Sequence, residues 1–170
     1  MATDIYSRAW DLTELVLGAV QAEFALAEVA LPARQFATSG IVIYDTEQLS
    51  VSLLSMGGAD LDGGQGTAGE EAGPQRCVSW RGIELEVMLL RCAPTVDVMV
   101  SGELRAPDAD EQAASGQLIA KDASIITSGL LRAHQADTFG MGPTMSLQRW
   151  DAVGDADLTG GAMRLRLGLI

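Results

Sequence analysis

Helical periodicity occurs twice in this sequence, over residues 4–30 and again over 108–133, and strand-like segments come in pairs between and after them. That order constrains the fold more than any single motif. A doubly wound sheet needs a helix after nearly every strand, because parallel neighbours require long crossovers. Two helices among five strand-like segments cannot supply them. The expected class is α+β, a mostly antiparallel sheet packed against two helices, in a single domain covering 1–170.

The first helix carries Ile5, Ala9, Leu12, Val16, Ala19 and Val20 on one side, while Ser7, Glu14, Gln21 and Glu28 recur every seven residues on the other. Pro32 marks its expected end. Asp108 with Glu111 three residues later reads as a capping box opening the second helix. Gly116, Ile119, Ala123, Ile126, Leu130 and Ala133 follow at spacings of three and four. Leu12, Val16, Ile126 and Leu130 are the expected contacts with the sheet. Among the strands, Gly40–Asp45 is expected to pair with 48–56 through a hairpin turn at Asp45–Glu47. Leu49, Val51 and Leu53 alternate with Gln48, Ser50 and Ser52, the pattern of a half-buried strand. Ile83, Leu85, Val87 and Leu89 oppose Glu84, Glu86 and Met88 in the longest strand candidate. "VDVMVSGEL", residues 96–104, reads equally as a short strand or an extended connection. "MSLQRWDAV" and "GGAMRLRLGLI" read as a closing hairpin. An apolar end left loose would invite aggregation, so strand 160–170 is expected to be paired inside the sheet. Met163, Leu165, Leu167 and Leu169 would face the helices and Arg164 and Arg166 would point away.

Composition narrows the chemistry. With 23 acidic residues against 11 basic and a net charge of −12, no nucleic-acid-gripping surface is expected, because such affinity comes from neutralised phosphates. No apolar run approaches the ~20 residues of a membrane span, and Asp4 and Asp11 argue against a secretory leader. Cys77 and Cys92 are expected to be reduced, small and buried. The stretch "GADLDGGQGTAGEEAGP", 58–74, contains a literal G-x-G-x-x-G at Gly64, Gly66 and Gly69. A dinucleotide site would need these glycines to open a helix. Gly73 and Pro74 prevent that, and Glu70 and Glu71 would repel phosphate. A calcium loop beginning at Asp60 would have Asp62 and Glu71 in place, but Gly64 and Gln65 fail its fifth and sixth positions. No cofactor and no metal are therefore expected. The segment 57–74 reads as a flexible acidic loop that orders against a partner, with Asp60, Asp62, Glu70 and Glu71 as its candidate contacts. His134 is the only histidine, and no G-x-S-x-G accompanies it, so no enzyme is expected.

Several short motifs come in a recognisable order: Pro32, Arg34 and Phe36 as P-x-R-x-F; Gly40 to Asp45; an L-x-V-x-L strand; a variable acidic Gly-rich loop; "RCAP" at Arg91 to Pro94; and a final Gly-Gly strand, Gly160 to Ile170. This order resembles the tail terminator proteins of long-tailed bacteriophages, most closely those of actinobacteriophages. The resemblance implies a structural virion protein at the tail–neck junction, assembled in the host cytoplasm. It would form a ring of its own copies, a hexamer, on the last ring of the tail tube protein. That ring would end tube polymerisation and join the head–tail connector, and genomic DNA would pass through it without specific binding. Arg164 and Arg166 would then meet carboxylates of a neighbouring subunit. The alternatives are a head–tail stopper or tail-completion ring, a small calcium- or ligand-binding module, and an enzyme whose site is assembled from distant residues.

Overall fold

In the computed structural model, residues 2–40, 42, 45–57, 81–140, 144–155 and 157–169 are described. The acidic stretch and its Asp60, Asp62, Glu70 and Glu71, together with Cys77, lie outside them.

The first helix, α1, spans Ala2–Leu26. Ala9, Leu12, Val16, Val20 and Phe24 recur at three and four, and all are buried. The helix ends well before Pro32. Val29 N–H donates to the Phe24 carbonyl at 3.1 Å and Glu28 N–H to that of Ala25 at 3.2 Å, with Glu28 at φ 53°. This is a Schellman-type stop, a place that glycine usually fills, so a glutamate there leaves no sequence signal.

Strand β1 is Arg34–Ser39 and β2 is Gln48–Gly57. They pair in parallel, Arg34 opposite Gln48 and Ser39 opposite Leu53. Two expectations are corrected here. The strand that neighbours β2 in sequence precedes Gly40, and Asp45–Glu47 is not a hairpin turn, since among the described residues β2 pairs with β1 and β3; residues 41, 43 and 44 of the expected Gly40–Asp45 strand lie outside those described. The physical reason is Val42, which is buried with Met88, Leu90, Leu158 and Ala162 on the sheet face away from the helices. Val42 lies across that face, and Gly40 at φ 104° turns the chain after β1. Ser50 and Ser52 are buried as well as Leu49 and Val51, so the first half of β2 is enclosed on both faces and not half-buried, while Leu54 and Ser55 further on are exposed.

Strand β3, Arg81–Cys92, pairs antiparallel with β2. Asp97–Val98 (β4) and Leu104–Arg105 (β5) form a separate small hairpin. Helix α2, Ala109–Gln135, opens with the expected capping box: Asp108 Oδ1 accepts from Glu111 N–H, and Glu111 Oε2 accepts from Asp108 N–H, both at 2.9 Å. Strands β6, Met145–Asp155, and β7, Leu158–Leu169, close the fold as a hairpin. The sheet order is β1-β2-β3-β7-β6, so the last strand is inside the sheet. The fold is α+β, with β1–β2 its one parallel pair in the main sheet. Both helices lie on one face, where Leu12, Val16, Ile126 and Leu130 meet Ile83, Leu85, Val87, Met163, Leu165 and Leu167 in one core.

Two close approaches explain the glycine pair of β7. A Cβ at Gly160 would stand 1.9 Å from the Leu89 carbonyl oxygen, and one at Gly161 would stand 2.2 Å from the Trp150 indole. The bulge between Leu147 and Trp150 sets the register that brings the indole over Gly161.

Asp122 is the one buried carboxylate of α2, 1% exposed. Arg91 grips it with Nε–H at 2.6 Å and Nη2 at 2.9 Å, and Nη2 also donates to the Ala30 carbonyl at 3.1 Å. The hydrogen bond to Asp122 raises the Arg91 pKa further above its ordinary value, against the opposing effect of burial. Cys92, one residue on, is exposed, which corrects the expectation of a buried thiol. Strand alternation turns it away from the core, and its backbone N–H donates to Glu47 Oε1 at 2.7 Å.

Two stability outcomes follow. Asp122→Ala leaves the Arg91 charge unpaired in a confined site and should cost about 3–5 kcal/mol in urea unfolding; a loss under 1 kcal/mol would show that the pair holds nothing together. Gly160→Ala should be more destabilising than Gly161→Ala in the same assay, because a strand carbonyl cannot swing aside and an indole can. The reverse order would contradict that account.

Candidate assembly surface

The outer face of the sheet is charged and internally paired. Alternation places Arg164 and Arg166 there, as expected. Register sets Arg164 opposite Glu86 and Arg166 opposite Glu84, with N···O separations of 3.4 and 3.6 Å. Each arginine thus has a carboxylate partner in its own chain. The two pairs are partly solvated, so the guanidinium charges are worth little to stability. Arg164→Gln with Arg166→Gln should cost under about 1 kcal/mol per site. Arg164→Glu with Arg166→Glu should cost visibly more, because four carboxylates would then crowd one face. Equal melting of the two double variants would show that the cross-strand pairing has no weight.

Two other surface features are apolar and exposed. The first is a groove of about 690 Å³ between α1 and the second half of α2. Its floor is made of small residues, Gly18, Ala19 and Ala22 on α1 and Gly129 and Ala133 on α2. They let the helices approach closely: a Cβ at Gly129 would lie 2.9 Å from Glu23 Cβ and 3.2 Å from the Ala19 carbonyl oxygen. Leu15 and Leu26 stand along it, 42% and 66% exposed. Asp11 and Glu14 border it, and a Glu23–Arg132 ion pair of 3.1 Å spans the two helices.

The second feature is the β4–β5 hairpin. Met99 N–H donates to the Glu103 carbonyl and Gly102 N–H to that of Met99, both at 2.8 Å. Gly102 supplies the positive φ, 82°, that the turn needs. Its base is tied to the start of α2 by Arg105, whose Nη2 lies 2.8 Å from Glu111 Oε1. Beyond that base the arm has little cover: Val96, Met99, Val100 and Leu104 are all exposed, Val100 completely. Isolated exposed apolar residues are ordinary. Four within nine residues on one projecting hairpin are not.

Among the described residues, no group of three or more His, Cys, Asp or Glu side chains could hold a metal ion, and no helix is long and apolar enough to cross a membrane. His134 lies in the last turn of α2, half-buried. A scan of protein-family models finds no match to the chain, and a search of curated proteins finds none either.

The sequence reading missed both apolar features. The groove had a signal in Gly18/Ala22 and Gly129/Ala133, small residues four apart on each helix. Such spacing also suits an ordinary helix contact, so it does not by itself mark an open groove. The arm had one in Ser101–Gly102 between apolar residues, which is a hairpin turn signature.

Proposed function

We propose that this protein is a ring-forming structural component of a long-tailed phage virion, a tail terminator that caps the tail tube, ends its polymerisation and offers the surface that joins the tail to the head connector. One observation carries the reading most: the bare apolar surface is divided between a projecting arm and a separate groove. A surface of that kind suits head-to-tail association, which forms a ring when the rotation from one copy to the next closes. The α+β fold and the motif order from Pro32 to Gly160 agree with it. The net charge of −12 suits a ring through which DNA slides, since like charge prevents sticking. The function on this reading is structural, with no catalysis and no cofactor.

The test is to add the purified protein to polymerising tail tube protein of the same virion and view the products by negative-stain electron microscopy. Tubes capped at one end by a ring, and halted in growth, are the expected result. Binding to the head connector but not to tubes would reassign the chain to a stopper or tail-completion ring. Binding to neither would overturn the proposal.

A further inference from the structure

We infer that the groove between α1 and α2 receives the β4–β5 arm of a second copy of this chain, so that each subunit gives an arm to one neighbour and accepts one from the other. The inference rests on the ring-forming reading above and names its contact.

The argument starts from distance. The arm joins α2 at its first residue, Ala109, whereas the groove is built on Gly129 and Ala133. Twenty residues of helix at ~1.5 Å each separate them by about 30 Å. The arm reaches only from Val96 to its tip at Val100, a span of roughly 15 Å at ~3.3 Å per residue. It cannot fold into its own chain's groove. A convex apolar element and a concave apolar one, held at opposite ends of one rigid helix, can be satisfied together only between copies.

The chemistry agrees. Val100, Met99 and Leu104 offer branched and flexible apolar groups. The groove offers Leu15, Leu26 and a floor of glycine and alanine that leaves room for them. Charge lends the contact no pull: Asp11, Glu14 and Glu23 line the groove beside Arg132, which Glu23 already holds at 3.1 Å, so the arm is received through its apolar side chains. Area decides the kind of assembly. Four side chains fall short of the ~800 Å² per partner of a stable pair, so this contact is not a free-standing dimer interface. In a ring every subunit makes it twice, and closure removes the open ends.

Two measurements on the full chain test it. With a photo-crosslinking amino acid in place of Val100, irradiation of the concentrated protein should join one copy to peptides of a second copy containing Leu15, Ala22 or Leu26. Crosslinks confined to the same chain, directed elsewhere on the second copy, or absent would overturn the inference. The second measurement is complementation. Met99→Asp with Val100→Asp disables the arm, and Ala22→Trp fills the groove from the solvent side without entering the core. Each variant, shown to be folded by circular dichroism, should stay monomeric alone. A mixture should show a 1:1 association that goes no further, because only one productive contact remains. Continued growth of the mixture, or no association at concentrations where the wild type associates, would contradict the head-to-tail pairing. Capped tubes with Val100 crosslinked elsewhere would reject the arm contact and leave the proposed function standing. Crosslinks in the groove without capped tubes would do the opposite.

Discussion

The arrangement of helices over sheet depends on the fork between Arg91 and Asp122. Taking a carboxylate out of water costs several kcal/mol unless a partner meets it with good geometry, and Asp122 is 1% exposed. Arg91 meets both of its oxygens and also holds the Ala30 carbonyl. The end of β3, the middle of α2 and the chain leaving α1 therefore converge on one planar group. A lysine, whose three N–H groups radiate from one nitrogen, could not meet the carboxylate with a planar fork in this way. With Asp122 turned inward, helical spacing turns Ile125, Ile126, Gly129, Leu130 and Ala133 inward too. The direction of α2 is thereby set, and with it the separation of arm and groove.

The sheet has two unlike faces. One carries the apolar core beneath both helices. The other is divided: Val42 covers Met88, Leu90, Leu158 and Ala162, and further along β3 and β7 it carries the Glu84, Glu86, Arg164 and Arg166 pairs. Without Val42, apolar residues such as Met88 and Leu90 would meet water.

Charge is mostly balanced within the chain wherever a base appears. Arg34, Arg91, Arg105, Arg132, Arg149, Arg164 and Arg166 each pair with a carboxylate of the same chain. The large acidic excess is left without such partners, so copies repel one another at long range. In the proposed ring, apolar contact would have to overcome that repulsion, and salt, which screens it over about 10 Å at 0.1 M, would favour association. The proposed ring would then be held by shape and apolar burial, with charge limiting where and when copies meet.

Gly116, expected on the inner face of α2, is exposed, and Ile119 and Ala123 are only half-buried. The sequence alone determined the fold class, the two helices, the buried face of α1 and of the second half of α2, the capping box at Asp108 and Glu111, and the two faces of β3 and β7. Each is written in a local period of 2 or 3.6, or in a cap that spans three residues, and such signals need no knowledge of distant partners. Arg164 and Arg166 could be placed on the outer face for the same reason, but not paired, since their carboxylates are some eighty residues away in sequence and meet them only through strand register. Only the tertiary structure decided that β1 precedes Gly40 and runs parallel to β2, because the deciding contact, Val42 against Met88 and Leu158, joins distant parts of the chain. It also decided that α1 ends at Leu26 through a backbone conformation at Glu28 that no side chain announces, that Asp122 is a buried anchor and not one more surface acid, and that small residues on two helices leave an open groove. A groove is a property of the space between elements, and no single segment encodes it.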